Sequence, residues 1–275
     1  MTIPRIALNS GTSIPQLGLG TSPLNDAEVE RAVIEALEIG YRHIDTAVRY
    51  GNEVGVGRGI SDSGVPREEV FVTTKLDGEF QGDDRAIAGL DASLDRLGLD
   101  YVDLLLIHWP LPARDDFVST WKTFAKLQTA GRTRAIGVSN FKPAHLDRLI
   151  ADTGITPAVN QIQLNPYVTR HEQREYNAEH GIVTESWSPL GAGGDLLTSS
   201  LLARIGAKYD KTPGQVVIRW HLDNGLVVIP KSQNAERLAQ NLDVFDFALD
   251  ADDLAEIATL DQGPGAGVDS DASGH

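Results

Sequence analysis

Eight short, continuously apolar runs recur along the chain, and longer amphipathic stretches separate most of them. Continuously apolar runs are typical of parallel strands covered by helices. Eight strand–helix units in about 250 residues match a closed (β/α)8 barrel, a TIM barrel of the α/β class, and a doubly wound open sheet is the alternative. The pattern predicts strands at 17–20, 43–45, 70–75, 102–107, 134–138, 159–163, 182–187 and 226–229.

Turn and helix-cap residues mark the ends of several predicted strands and helices. Amphipathic segments 26–39 and 83–97 end at Gly40 and Gly98, where a left-handed helix cap is expected. The segment 6–14 predicts an N-terminal β-hairpin that turns at Asn9-Ser10-Gly11. No linker or repeat divides the chain, so residues 1–275 are predicted to form one domain. Residues 263–275 are small and polar, which predicts a flexible C-terminal tail or loop.

Charge and composition exclude several function classes. The 275 residues carry a net charge of −15 and no cysteine. The negative charge disfavours nucleic acid and anionic membranes as partners, and the lack of cysteine excludes disulfides and thiolate metal sites. No apolar run approaches the roughly 20 residues that cross a membrane, and no signal sequence opens the chain. We therefore expect a cytoplasmic protein.

Polar residues end or follow most of the predicted strands. In a (β/α)8 barrel the C-terminal ends of the strands meet at one rim, which carries the chemistry. The sequence therefore predicts that one rim collects Asp45, Lys75, His108, Ser139, Asn140, Gln161, Gln163, Lys231 and Ser232.

Four of the candidate residues fit an acid–base device. A tyrosine has a pKa of about 10, and a neighbouring ammonium would lower it; Tyr50 and Lys75 supply those groups. Asp45 would keep Lys75 charged, and His108 would orient a substrate oxygen. Taken singly, each residue has a plainer interpretation. Asp45 could cap a helix and Tyr50 could be a packed loop aromatic. Lys75 could be a solvent-exposed charge at a strand end, and His108 a hydrogen-bonded core histidine.

Five sequence blocks carry a specific family resemblance. They lie at 40–53, 73–76, 106–110, 137–141 and 229–232 and include Arg42-His43-Ile44-Asp45 and Ile229-Pro230-Lys231-Ser232. In order and spacing the chain resembles the aldo-keto reductase superfamily from about residue 3 to 261, particularly its bacterial 2,5-diketo-D-gluconate reductases.

This resemblance implies NADPH-dependent reduction of a small aldehyde, ketone or α-dicarbonyl such as 2,5-diketo-D-gluconate, methylglyoxal or phenylglyoxal. It implies a monomer without a metal, and a catalytic tetrad of Asp45, Tyr50, Lys75 and His108 with Tyr50 as proton donor. Tyr50, His108, Trp109 and Phe80 would line the substrate pocket. The cofactor-binding residues implied are Gly20, Thr21, Asp45, Ser139, Asn140, Gln161, Trp187, Ser188, Leu190, Lys231, Ser232, Arg237, Gln240 and Asn241.

Three departures from the family pattern bear on specificity. Ser22 and Asp77 stand where the family usually has aromatic pocket walls, and Gln240 replaces a usual glutamate. The two lost aromatics predict a wider or more polar substrate pocket, with Phe80, Trp109 or the C-terminal tail as the alternatives that would refill the space.

Other functions fit the sequence less well. The segment Gly55–Gly59 lacks the Gly-x-Gly-x-x-Gly frame, which indicates helix-packing glycines instead. No His-x-His pair suggests a metal-dependent barrel hydrolase, and Ser139 lacks a Gly-x-Ser-x-Gly frame. A redox-sensing binding module, similar to the potassium-channel β-subunits, stays open, because a fold alone does not establish turnover.

Overall fold

Eight parallel strands form a closed barrel in the computed structural model, which describes residues 3–275. The strands follow one another around the sheet in chain order. The ring closes where Leu17 pairs with Val228 and the Gly18 N–H donates to the Val228 carbonyl at 2.9 Å. The barrel strands are β3 (Leu19–Gly20), β4 (His43–Asp45), β5 (Phe71–Leu76), β6 (Val102–Ile107), β7 (Thr133–Ser139), β8 (Val159–Gln163), β9 (Val183–Trp187) and β10 (Val227–Val228).

Helices surround this barrel. They are α1 (Asp26–Ile39), α2 (Glu53–Asp62), α3 (Asp83–Leu97), α4 (Phe117–Thr129), α5 (Pro143–Thr153), α6 (His171–Glu179), α7 (Ser200–Tyr209), α8 (Pro213–Asp223), α9 (Ala235–Leu242) and α10 (Ala251–Ala258). The two helices predicted from their caps have the predicted bounds, and Gly40 ends α1 with φ of 113°. The barrel prediction is confirmed, and the open-sheet alternative is wrong.

An N-terminal hairpin closes one end of the barrel. Strands β1 (Arg5–Ala7) and β2 (Ser13–Pro15) pair antiparallel, as predicted. Leu8 and Ile14 are buried against the barrel residues Phe71 and Leu104. This apolar plug leaves the opposite end, where the strands finish, available for a site.

Glycines bring α2 close to its neighbours. A Cβ atom on Gly55 would overlap the Asp26 carbonyl oxygen at the start of α1, and one on Gly57 would overlap the Leu97 carbonyl oxygen at the end of α3. The prediction of helix-packing glycines in this segment is confirmed. The close packing fixes α2, which begins three residues after Tyr50.

The C-terminal segment docks across the mouth of the barrel. Lys142 Nζ lies 2.5 Å from a carboxylate oxygen of both Asp269 and Asp271, and Arg170 donates to the Val268 carbonyl at 2.7 Å. The Gly78 N–H donates to the His275 carbonyl at 3.2 Å. The segment is a loop, as predicted, but these contacts contradict the expectation that it is flexible.

Within residues 3–275, every helix is too short or too polar to cross a lipid bilayer.

Candidate active site

A fully buried lysine stands at the centre of the polar rim. Lys75 is 0% exposed, and its Nζ donates to Asp45 Oδ1 at 2.5 Å, to the Thr46 carbonyl at 2.9 Å and to the Tyr50 hydroxyl at 3.3 Å. A buried ammonium is tolerated only when it is paired and hydrogen-bonded. The interpretation of Lys75 as a solvent-exposed strand-end charge is therefore wrong.

The barrel register brings Asp45 and Lys75 together. Strands β4 and β5 are parallel neighbours, and Asp45 lies opposite Thr73. Alternate residues of a strand point to the same face, so Thr73 and Lys75 both point into the barrel beside Asp45. Two residues 30 positions apart thus meet.

The loop that carries Tyr50 is held by amide hydrogen bonds. Tyr50 ends a 3-10 turn, Val48–Tyr50. Asn52 donates to the carbonyls of Thr21 at 3.1 Å and Leu24 at 2.8 Å, and accepts from the Thr46 hydroxyl at 2.8 Å. This role of Asn52 was not predicted from the sequence, although its position between a turn and a helix suggests it.

His108 lies beside Tyr50 at the end of β6. The His108 backbone N–H donates to the Leu76 carbonyl at 3.2 Å, and the His108 backbone carbonyl accepts from Asn140 Nδ2 at 3.0 Å. The imidazole meets the Tyr50 ring edge-on, with the ring centroids 5.9 Å apart. The structure thus brings together all four residues of the implied tetrad.

Burial dominates the titration of this cluster. Burial alone would lower the pKa of Lys75, but Asp45 and Tyr50 outweigh it and raise that pKa above its usual value. Burial raises the pKa of Tyr50, and Lys75 only partly opposes this. Lys75 acts on the Tyr50 pKa in the expected direction, but burial outweighs it, so the expectation of a net lowered pKa is wrong. Lys75 is an ammonium and Tyr50 a neutral phenol near neutral pH, so Tyr50 retains a proton to give.

His108 is neutral under the same conditions. Burial, followed by the charge of Lys75, lowers its pKa well below the ordinary value. A neutral imidazole offers one N–H donor and one acceptor nitrogen.

A second buried carboxyl lies beneath the tetrad. Gln161 Nε2 donates to Asp45 Oδ2 at 2.8 Å and to Glu185 Oε2 at 2.9 Å. Burial and the nearby Asp45 raise the pKa of Glu185 to about 8, whereas burial and Lys75 lower the pKa of His43 to about 3. His43 Nε2 lies 3.6 Å from Glu185 Oε1. Glu185 was not predicted from the sequence, although a charged residue inside the apolar run 182–187 was a signal.

A groove of about 940 Å³ runs from the tetrad across the barrel mouth. Its lining includes all the residues implied as cofactor-binding and also Ser22, Tyr50, His108 and Trp109. The Trp187 indole N–H donates to Asn140 Oδ1 at 2.9 Å, and Asn140 has φ of 66°. Gly20 also lines it, and a Cβ there would lie 2.7 Å from the Ile229 carbonyl oxygen.

The part of the groove near Tyr50 contains groups that the family resemblance of the sequence did not imply. His275 lines it, with its ring centroid 4.8 Å from that of His108, and Asp77 Oδ1 lies 3.9 Å from His275 Nε2. Phe80, expected in the substrate pocket, lies instead against Gly89 of α3. Thus polar residues and the docked tail occupy the region near Asp77. Of the sequence alternatives for refilling this space, the tail and Trp109 line the groove and Phe80 does not, and His275 itself was not predicted.

Part of the groove lining is cationic. Lys231, Ser232 and Arg237 line the groove, and Asn234 caps α9 by accepting from the Arg237 N–H at 2.9 Å. Both cations are exposed and, unlike Lys75, form no ion pair with a carboxylate of the described residues. This part of the lining suits an anionic group.

Fold and site together define a barrel enzyme with proton-handling groups and exposed cations along one groove. The model of the aldo/keto reductase family matches residues 11–262, and the chain belongs to this family. The resemblance seen in the sequence is thereby confirmed.

Relatives and solved structures extend this result. The chain is 54% identical to an aldo-keto reductase of Mycolicibacterium smegmatis, over 97% of this chain and 96% of the relative. It is 51% identical to "Methylglyoxal reductase DkgA" of Escherichia coli, over 98% of each. The structure of a mutant of Gox0644 in complex with NADPH superposes with a TM-score of 0.95 at 44% identity, covering 100% of each chain.

Proposed function

We propose that this protein uses NADPH to reduce a small α-dicarbonyl compound to the hydroxy-carbonyl product, with Tyr50 as the proton donor. One observation carries the proposal: the Lys75 ammonium, itself buried, touches both Asp45 and the Tyr50 hydroxyl at the end of a groove that His108 also lines. The family supports carbonyl reduction in general.

The groove has the groups that an extended NADPH molecule needs. Trp187 offers an aromatic face, and Ser139, Asn140 and Gln161 offer polar groups beside it for the nicotinamide amide. Lys231 and Arg237 also line the groove, and their charge-assisted hydrogen bonds would hold the 2′-phosphate. The solved relative in complex with NADPH supports the same choice of cofactor.

Each tetrad residue has a role in the chemistry. NADPH, when bound, would supply a hydride to the carbonyl carbon, and Tyr50 Oη would give its proton to the carbonyl oxygen. The phenolate left on Tyr50 is stabilised by Lys75, 3.3 Å away, and Asp45 keeps Lys75 charged. His108, as a neutral imidazole beside Tyr50, donates to the carbonyl oxygen and orients it.

Polar groups favour an α-dicarbonyl as substrate. Ser22 and His275 line the groove, and Asp77 and Arg49 lie near His275 at its Tyr50 end. A second carbonyl oxygen next to the reacting one would find hydrogen-bond donors there, which an alkyl group would leave without partners. The relative named methylglyoxal reductase supports this substrate class.

The test is NADPH consumption with methylglyoxal, phenylglyoxal, 2,5-diketo-D-gluconate, an aromatic aldehyde and a simple ketone. We expect steady turnover, fastest with the dicarbonyls. Tyr50→Phe should reduce kcat by about 100-fold or more, because general acid catalysis contributes about that much, and should leave the NADPH dissociation constant nearly unchanged.

Tyr101→Phe is the matched control. It also removes one phenol, but Tyr101 lies just before β6 at the opposite end of the barrel, against Arg67 and Arg134. It should keep wild-type activity. Tight NADPH binding without turnover in the wild type would indicate a redox-sensing module, and an active Tyr50→Phe variant would require another proton donor.

A further inference from the structure

Two histidines and an aspartate converge at the Tyr50 end of the groove. One ligand atom of each of Asp77, His108 and His275 lies within 4.8 Å of the other two. The imidazoles of His108 and His275 meet edge-on at 80°, and His275 Nε2 lies 3.9 Å from Asp77 Oδ1. These three residues form a compact potential ligand set, which we call the mouth cluster.

The mouth cluster contains buried nitrogens without partners. His108 Nδ1 and His275 Nε2 are both buried and form no hydrogen bond with the described residues. His108 as a whole is only 6% exposed. A buried polar atom without a partner costs about 1–3 kcal/mol, so such an atom often marks the place of a missing ligand.

Three separate segments hold the cluster in place. Asp77 follows β5 and accepts from the Gly78 N–H at 2.8 Å, and His108 follows the neighbouring strand β6. The Gly78 N–H also donates to the His275 carbonyl, while Lys142 anchors the tail through Asp269 and Asp271. A metal site was not predictable from the sequence, because the ligands come from distant segments and include no His-x-His pair.

We propose that the mouth cluster binds Zn²⁺, and that the bound ion inhibits the enzyme by withdrawing His108 from the substrate carbonyl. Two imidazoles and one carboxylate, with a fourth position open, are a typical zinc ligand set. The inhibition, but not the binding, rests on the function proposed above.

Two cations lie near the mouth cluster and oppose a bound metal ion. Lys75 is already paired with Asp45, and Arg49 Nη1 lies 4.0 Å from Asp77 Oδ2. Arg49 is exposed and can swing into solvent, which would leave Asp77 to the ion.

The cluster needs a modest contraction to bind zinc. Bonds of about 2.0–2.1 Å in a tetrahedral site place the ligand atoms about 3.3 Å apart. The present spacing reaches 4.8 Å. His275 is the ligand able to move, because its side chain is 33% exposed, whereas that of Asp77 is 9% exposed.

Calorimetric titration of the full chain with zinc chloride tests the binding. The wild type should take up one equivalent at the cluster. His275→Ala should weaken zinc binding at least tenfold, as should Asp77→Asn, which keeps an oxygen for the Gly78 N–H. The control His171→Ala removes an exposed histidine that pairs with Glu175, and it should bind zinc like the wild type. Equal losses in His275→Ala and His171→Ala, or no uptake by the wild type, would overturn the proposal.

Turnover provides the second readout. Zinc should inhibit NADPH oxidation in competition with the carbonyl substrate. The half-inhibiting concentration should rise at least tenfold in Asp77→Asn, with each protein compared with its own zinc-free rate. Zinc uptake without any reductase activity would refute the proposed function and leave the metal site intact. Active enzyme that binds no zinc would refute the metal site and leave the proposed function intact.

Discussion

Lys231 and Arg237 are cations on a molecule whose net charge is −15. Most of the protein therefore repels a dinucleotide phosphate, and only local contacts can overcome this field. Both residues are exposed and line the groove. Because they form no ion pairs with described carboxylates, they can bind a phosphate without first losing another partner.

Arg237→Ala should selectively weaken NADPH. A charge-assisted hydrogen bond contributes about 1.5–3 kcal/mol, so the NADPH dissociation constant should rise about tenfold or more. The NADH dissociation constant should change little, because NADH lacks the 2′-phosphate. Both constants can be measured by quenching of protein fluorescence. Equal losses for the two cofactors would remove Arg237 from phosphate recognition.

At the residue scale, the meeting of the tetrad residues was predictable from the sequence, and the positions of Glu185 and His43 beneath them were not. Asp45, Lys75 and His108 end consecutive strands, and barrel geometry alone brings such ends to one rim. Glu185 lies inside an apolar run and His43 is the first residue of β4, and their proximity depends on which strands face each other across the barrel interior. Their pKa values depend on burial, which the sequence does not show.

At the scale of elements, α2 links packing to the site. Its first residue, Glu53, accepts from Thr74 at 2.6 Å and from Arg96 Nε at 2.8 Å, which joins it to β5 and α3. Asn52, just before α2, fixes the Tyr50 loop. A shift of this helix would therefore move Tyr50 relative to Lys75.

Gly57→Ala should destabilise the protein. The new methyl group would overlap the backbone of Leu97 at the end of α3, and overpacking of this kind typically costs about 1–3 kcal/mol. Gly214→Ala is the control within α8, since the nearest atom to its Cβ would be 3.9 Å away. Thermal unfolding should show a lower Tm for Gly57→Ala and an equal or higher one for Gly214→Ala. An unchanged Tm in both would show that α2 moves aside without cost.

The bounds of α1 and α3 were predictable because local signals, an amphipathic period and a terminal glycine, determine them. The docking of residues 263–275 onto the barrel was not predictable from the sequence. Its anchors are ion pairs between Lys142 and carboxylates 127 and 129 positions away, and residues 263–275 contain few large apolar groups that would signal packing.

At the scale of the whole molecule, the barrel interior encloses ionisable groups as well as apolar ones. His43, Asp45, Lys75 and Glu185 are all at most 1% exposed. Among these four residues, only Asp45 and Lys75 form a short ion pair, with Nζ and Oδ1 2.5 Å apart. The remaining carboxyl, Glu185, must be neutral to be tolerated at this depth, so the stability of the fold is coupled to pH.

Glu185 should make the protein less stable as the pH rises. Its pKa moves from 4.5 to about 8 on folding, so between these values the folded state holds a proton that the unfolded state has released, and stability falls with rising pH. His43 acts in the opposite direction only below about pH 6.5, because its pKa falls from 6.5 to about 3. From pH 6.5 to 8 His43 no longer opposes the Glu185 effect, which amounts to about 2 kcal/mol. Burial also raises the pKa of Asp45, which acts in the same direction as Glu185.

Glu185→Gln isolates this effect, because its amide oxygen can still accept from Gln161 and it has no proton to lose. The Tm difference between Glu185→Gln and the wild type should grow in favour of the variant by several degrees from pH 6.5 to 8. The exposed control Glu179→Gln should follow the wild type at every pH. Parallel Tm curves for the wild type and Glu185→Gln would mean that Glu185 is already ionised in the folded barrel.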